Sequence, residues 1–302
     1  MIKSPLATIL INNYNYAPFL KTSIDSALKQ TYDNIEIIVV DDGSTDNSRK
    51  IIDSYGNQII PILKDNGGQA SAFNLGFAKS QGDIIFFLDS DDFFLPEKVA
   101  TVINIFSDYP EIDWLFHSLQ LIGNKVSNFT HNYDSKSLSG IYDIRKHIAR
   151  GKLGNKLPIP IITSGMCLKR NLLKRILPMP DIIKITSDDY IKYSALGLSK
   201  GFVLLEKLAI QRIHQNNAYT FRKDKQSLRA KILILTAYYL KKDFPILSKF
   251  SNNIFALGLS IYQTITQKEQ ETFLLIKEYL NNISQAEKIE INLRSLYYRY
   301  KK

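Results

Sequence analysis

Three aspartates fall within four positions in "DIIFFLDSDDFFLP", residues 83–96, directly after an unbroken apolar run. Carboxylates at i and i+2, here Asp89 and Asp91, can share one divalent cation directly or through its waters. Mg2+ and Mn2+ take such oxygen donors and are commonly completed by phosphates. A cation held there offsets the repulsion among Asp89, Asp91 and Asp92 and gives a diphosphate something to bind. The competing reading is an aspartate-rich turn that needs no ligand. A second acidic group, Asp41 and Asp42, closes the apolar run of "VVDDGSTD". Carboxylates there can accept a base N–H or a ribose hydroxyl; equally, Asp42 and Ser44 can cap the next helix, with Gly43 allowing the turn.

Amides gather in two further stretches, "LINNYN" (10–15) and "KDNGGQASAFN" (64–74). Asn12, Asn13, Asn66 and Gln69 can read the polar edge of a planar base on which Tyr14 packs, with Gly67 in the same loop. Asn-Gly-Gly is also simply a tight turn. Well downstream, Asp188 and Asp189 open a predicted helix, where the dipole favours acids. That dipole also lowers a carboxylate's pKa, so a general base there needs burial or a neighbouring charge to raise it again. His214, in "QRIHQNN", follows a strand and can reach a metal or a phosphate, although a lone histidine is more often structural.

Side chains this scattered act together only if the elements between them bring them to one place. The strands "ATILINNYN", "IEIIVVDDGS", "IIPILKDNGG" and "DIIFFLDSDD" alternate with the helical stretches "PFLKTSIDSALKQ", "STDNSRKIIDSYG" and "QASAFNLGFAKS". Continuously apolar strands alternating with helices predict an α/β fold, a mostly parallel sheet with helices on both faces. The polar clusters at 12–14, 41–44, 65–69 and 89–92 each sit at the C-terminal end of a strand, the edge at which open α/β sheets bind ligands. They therefore converge on one crevice. Farther on, "WLFHSLQLI" and "FVLLEKLAIQRI" read as strands and "RKHIARGKLGNKLPIP" as a basic loop. "TSGMCLKRNLLKRI" reads as a strand turning into a helix, and "TSDDYIKYSALGLSKG" as a helix capped by Thr186 or Ser187 with Gly201 near its end. Helical periodicity dominates beyond residue 221, predicting a domain over 1–220 and a basic helical region over 221–302.

Composition narrows the classes. The 302 residues are 45% hydrophobic and 11% aromatic, enough for a large core. Cys167 is the single cysteine, which excludes an intramolecular disulfide and an all-cysteine metal site. The first apolar run is too short for a signal peptide, and no run of about 18 apolar residues marks a membrane span. A cytoplasmic setting is expected. No G-x-G-x-x-G follows the first strand, where "NNYNYAP" stands, and no phosphate loop of the G-x-x-x-x-G-K-[ST] kind occurs. His117, His131 and His147 have no zinc spacing, and G-x-S-x-G is absent. The net charge of +10 is uneven: residues 222–302 carry 15 Lys and Arg against seven Asp and Glu. That excess points to an anionic neighbour, such as the inner face of an anionic membrane, or to a solubilising helical surface. Nucleic acid is disfavoured, because the basic excess lies outside the carboxylate-lined crevice.

"ATILINNYNYAPFLKTSIDSALKQTY", "IEIIVVDDGSTDNS", "NGGQASAFNLGFAKSQGDIIFFLDSDDFFLPEK" and "SDDYIKY", in this order, resemble the family 2 glycosyltransferases, whose nucleotide-sugar-binding core has the GT-A fold. The resemblance is dense over 6–98 and loose over 160–217. It implies an inverting transfer from a nucleotide sugar, usually a UDP-sugar, to a hydroxyl of a glycan or lipid-linked acceptor, with Mn2+ or Mg2+. It places Asn12 and Tyr14 at the base, Asp41 and Asp42 at uracil and ribose, Asp91 with Asp89 on the metal, and Asp189 as catalytic base. Asp188 stands where the family has Glu. The Q-x-x-R-W of processive members is absent, which favours single addition. The basic stretch with Arg145, Lys146, Arg150, Lys152, Lys156, Lys169, Arg170, Lys174 and Arg175 offers cations to a pyrophosphate-linked acceptor. Two other classes fit the nucleotide and metal chemistry: a sugar-nucleotidyltransferase and a non-catalytic nucleotide-sugar-binding module. The first lacks its glycine-rich basic loop, and the second leaves the Asp188–Asp189 pair without a role.

Overall fold

Apolar runs with no polar alternation become strands covered on both faces, and the side-chain period of two decides which layer each residue meets. A computed structural model describes residues 4–123, 138–152, 157–219, 222–266 and 268–300. The first part runs β1 (Ala7–Asn13), α1 (Ala17–Leu28), β2 (Ile35–Asp42), α2 (Ser48–Asp53), β3 (Ile60–Lys64), α3 (Gln69–Lys79), β4 (Ile84–Asp89), β5 (Phe93–Phe94) and α4 (Lys98–Asp108). It continues through β6 (Trp114–Gly123), β7 (Gly140–Tyr142), α5 (Arg145–Ala149), β8 (Met166–Lys169), α6 (Arg170–Ile176), α7 (Asp188–Leu198) and β9 (Gly201–Ile213). The last part is helical: α8 (Lys225–Asp243), α9 (Ser248–Tyr262), α10 (Gln270–Asn281) and α11 (Gln285–Tyr300).

The strands form one nine-stranded sheet in the order β3-β2-β1-β4-β8-β6-β9-β5, with β7 paired to β9. β3, β2, β1 and β4 are mutually parallel, β6 and β9 are parallel to each other, and β8 runs antiparallel between β4 and β6. Ile9, Ile11, Val39, Phe86 and Leu88 share a buried cluster with Leu20 and Ile24 of α1 and Val99 and Val102 of α4. The alternate residues meet α3. Phe73 packs edge-on to Phe87 with ring centroids 5.0 Å apart, and a Cβ at Gly76 would lie 2.2 Å from Leu10 Cδ1. Glycine there lets the helix approach the sheet.

Local readings shift in several places. β3 is an edge strand, and Ile60 and Leu63 are exposed. The short β5, hidden in the run after the aspartates, pairs antiparallel with β9. The basic loop contains a one-turn helix, α5. Ser187 precedes α7 but makes no side-chain cap; its hydroxyl is drawn to Gln69 instead. α7 ends at Leu198, and Gly201 opens β9, because the Trp114 ring lies across it.

Two compact units divide the chain. The first holds the sheet and comprises residues 1–143, 156–195 and 199–214; the second comprises 144–155, 196–198 and 215–302. In the second unit α9 is buried nearly all round, and its two asparagines are paired. Asn252 accepts from Lys241 and Tyr279 and donates to Glu287, while Asn253 accepts from Tyr298 and donates to the Gly151 carbonyl at 2.7 Å. That last bond ties the 144–155 segment to the helices. Buried hydrogen bonds of this kind help fix a core.

Candidate active site

Strand register brings the polar clusters together. Asn12 lies opposite Asp89 on β4, Asn13 opposite Asp41 on β2, and Asp42 opposite Lys64 on β3. The C-terminal ends of four neighbouring parallel strands thus form one edge.

Asp41 is fully buried. It accepts from Asn13 Nδ2 at 2.9 Å, Arg49 Nε at 2.8 Å and the Ser44 amide at 3.1 Å. Burial works to raise its pKa, but these hydrogen bonds, Arg49 first, outweigh it and hold the carboxyl below its ordinary value. Asp42 is taken up by the loop between β3 and α3: Lys64 Nζ lies 2.5 Å from it, and the Gly67 and Gly68 amides donate at 2.9 and 2.7 Å. It caps no helix. Gly43 turns the chain at φ +79° beside the Asn66 backbone, where a Cβ would stand 2.6 Å from the Asn66 nitrogen; Asn66 itself donates to the Asp42 carbonyl at 2.9 Å. Outward from this pair, Tyr14 is 47% exposed, and buried Asn13 Oδ1 has no partner among the described residues.

Asp89, Asp91 and Asp92 present carboxylate oxygens that all lie within 4.8 Å of one another. Asp92 has a structural set of partners, accepting from Ser164 Oγ at 2.6 Å and the Arg212 amide at 3.0 Å. Asp91 meets His214 Nε2 at 3.1 Å, and the His214 ring stacks on Phe19 at 4.2 Å. Asn12 lies 3.1 Å from Asp89 Oδ1 when its amide nitrogen faces that oxygen. Burial, then the charges of Asp91 and Asp188, push the Asp89 carboxyl up to about 8. Burial, then Asp91 and Asp89, push Asp92 well above the ordinary range. Concentrated, desolvated carboxylates with raised pKa values are what a bound divalent cation would relieve. Ser90 Oγ, buried between them, also has no partner among the described residues. An all-oxygen donor set of this kind fits Mg2+ or Mn2+.

Gln69 joins the downstream acids to this cluster. Its Oε1 accepts from the Ser187 amide at 2.9 Å and the Ser187 hydroxyl at 3.0 Å, and its Nε2 reaches Asp89 at 3.4 Å. Thus Asp188 is close enough to act on the charge of Asp89, and burial followed by Asp189 pushes its own carboxyl up to about 6. Asp189 instead holds Lys192, one turn along α7.

Sequence reasoning missed the supports beneath the site. Arg49 carries no signal beyond its place near Asp41. Ser164 bridges Asp92 and the Asp89 amide, and buried Lys98 donates to the Ser164 carbonyl at 2.7 Å with its ammonium 3.3 Å from the Phe94 ring centroid. Burial pushes that ammonium down to about 7. Of the basic stretch, Lys169 donates to the Pro110 carbonyl and Arg170 to Gly82 and Ser80, so both are structural. Lys156 lies outside the described residues.

Known proteins resemble this chain in sequence and in fold. An uncharacterized glycosyltransferase of Nostoc sp. is 37% identical over 216 residues, 70% of this chain and 65% of that protein. One from Rickettsia typhi is 42% identical over 217 residues, with the same two shares. The chain therefore spans 65% of the length of these relatives. Among solved structures, S. aureus TarS 1–349 in complex with UDP-GlcNAc superposes with a TM-score of 0.65 at 15% identity, covering 97% of this chain and 89% of that one. The mannosyltransferase PcManGT from Pyrobaculum calidifontis, in complex with GDP-Man and Mn2+, gives 0.52 at 15% identity, covering 97% and 85%. The sheet with its helices is thus the GT-A arrangement of these structures. Residues 8–177, more than half the sequence, match the model of glycosyl transferase family 2, and the chain belongs to that family.

Proposed function

We propose that the chain is an inverting glycosyltransferase that moves a sugar from a nucleotide sugar, a UDP-sugar, to a hydroxyl of a glycan or lipid-linked acceptor. The setting is the cytoplasm, and the role is in cell-surface polysaccharide synthesis. The observation that carries this reading is the meeting of three carboxylates, a row of amides and Asp188 at the C-terminal ends of the parallel strands. Of the solved structures of the same fold, TarS binds UDP and UDP-GlcNAc and PcManGT binds GDP-Man; TarS, which superposes with the higher TM-score, supports a uridine nucleotide.

Tyr14 stacks on the base, and Asn13 and Arg49 meet its polar edge and the ribose, each oriented by Asp41. Asp42 acts one step back by folding the 64–68 loop, with Asn66, Gly67 and Gln69, around the donor. Asp91 and Asp89 hold Mn2+ or Mg2+, with His214 steadying Asp91. When bound, the cation supplies positive charge against the departing diphosphate. Asp189, turned by Lys192 and standing beside Asp188, takes the acceptor hydroxyl's proton as that oxygen attacks the anomeric carbon. One displacement inverts the configuration.

A specific observation favours Asp188 as an alternative base: its carboxyl sits at about 6 and its charge acts on Asp89, close to the poise a base needs near neutrality. The two variants separate the readings. With a panel of nucleotide sugars and Mn2+, release of nucleoside diphosphate is expected, and Asp189→Asn lowers turnover by about 10²–10⁴-fold with donor binding kept. The same loss in Asp188→Asn, with Asp189→Asn near normal, moves the base to Asp188. Release of pyrophosphate from a nucleoside triphosphate and a sugar 1-phosphate, with no nucleoside diphosphate formed from the nucleotide sugars, would make the protein a nucleotidyltransferase.

A further inference from the structure

Helix α11 has two apolar sides. Ile291 and Ser295 are buried, and Tyr298 donates to Asn253 of α9 at 2.6 Å. At 100° per residue, Ile289, Leu293, Leu296, Tyr297 and Tyr300 fall on a single stripe about half a turn away. They are 61, 62, 47, 58 and 75% exposed. The outer side of a surface helix is ordinarily polar, and a contiguous exposed apolar stripe marks a contact surface.

Charge decides what covers it. Residues 222–302 carry 15 Lys and Arg against seven Asp and Glu. Most of those acids are already engaged: Glu287 by Lys241, Glu290 by Arg294, Glu269 and Glu271 by Lys231, and Asp224 by Arg222. The same unit also takes in Arg145, Lys146, Arg150 and Lys152 and no acid from its 144–155 segment. Two copies meeting through α11 would press like charges together. A polyanionic glycan would answer the charge and leave the stripe in water. A bilayer rich in anionic lipid satisfies both, with Arg299 flanking the stripe on one side and the Glu290–Arg294 ion pair on the other, and Tyr297 and Tyr300 in the interface.

We propose that α11 lies in the plane of an anionic membrane surface with Ile289, Leu293, Leu296, Tyr297 and Tyr300 inserted among the lipids. This goes beyond the transferase reading and stands or falls separately from it. The test is co-sedimentation of the full chain with vesicles of phosphatidylcholine alone or with one third phosphatidylglycerol. Binding to the anionic vesicles is expected to exceed binding to the neutral ones at least about tenfold. The Leu293→Glu/Leu296→Glu variant loses that binding, while its melting temperature and UDP binding are unchanged. A second reading uses fluorescence. Trp114, the sole tryptophan, is fully buried, so Leu293→Trp adds one exposed reporter whose emission shifts to the blue on anionic vesicles. No binding, binding unaltered in the double variant, an unshifted reporter, or a wild-type dimer that the double variant breaks would each overturn the proposal.

Discussion

At the scale of single residues, the site is a set of carboxylates whose environments differ. Asp41 is held low by Arg49, Ser44 and Asn13 despite its burial, whereas burial and like charge raise Asp89 to about 8 and Asp188 to about 6. Linkage turns this into a stability profile. Below about pH 4 the raised groups are protonated in folded and unfolded chains alike, and their contribution is intact. As pH rises through about 6 and then about 8, the folded chain must ionise them at a cost the unfolded chain does not meet, and stability falls. Asp41 acts with the opposite sign, but only below its ordinary value, so the windows do not overlap. Measured against Asp89→Asn, the metal-free wild type should therefore lose melting temperature progressively from pH 4 to pH 8, a comparison in which the opposite contributions of buried His117 and Lys98, both held below their ordinary values, cancel. Mn2+ should remove most of that difference. A difference that stays constant or reverses across that range would refute the electrostatic picture of the triad. The residue types were legible in sequence: Asp89, Asp91 and the amides stand where strand ends put them, and Asp188 where a helix start puts it. Their individual states were not, because a carboxylate's pKa depends on burial and on neighbours such as Arg49, Ser164 and Gln69, which only the fold supplies.

At the scale of elements, continuous apolarity was enough to identify β1, β2 and β4, and with them the edge on which the polar clusters meet. Strand order was not, since nothing in "MCLK" says that β8 inserts antiparallel between β4 and β6. The two-residue β5 is too short to show a period, and Gly201 reads as a helix end until the Trp114 ring is seen against it. That contact yields a sharp expectation. A Cβ at residue 201 would lie 2.0 Å from Trp114 Cδ2 and 2.3 Å from the Trp114 carbonyl oxygen. Trp114 cannot retreat, being fully buried, stacked on Phe116 and bonded through Nε1 to the Ser199 carbonyl. Gly201→Ala should destabilise the fold by about 1–3 kcal/mol in chemical denaturation. A neutral outcome would mean that β6 and β9 pack more loosely than described. Gln69 is the comparable link within the site, tying the start of α3 to the start of α7 and to Asp89.

At the scale of the whole molecule, the two units carry different information. The sheet unit holds the acids, amides and histidine that sequence spacing singled out, and family membership rests on residues 8–177, which begin in it. The helical unit declares itself in sequence only by periodicity and positive charge. Its borrowing of residues 144–155, a segment held in part by the buried bond from Asn253 to the Gly151 carbonyl, is announced by no pattern. Among the described residues no helix is long and apolar enough to cross a membrane. What unites the catalytic reading is a single arrangement, in which Asp89 and Asp91 hold a cation that in turn secures a nucleoside diphosphate. Calorimetric titration of UDP into the wild type and into Asp91→Asn, each with and without Mn2+, tests it directly. The account predicts that Mn2+ tightens UDP binding to the wild type at least about tenfold and has no effect on the variant. UDP binding that is indifferent to Mn2+, or equally Mn2+-dependent in Asp91→Asn, would contradict it.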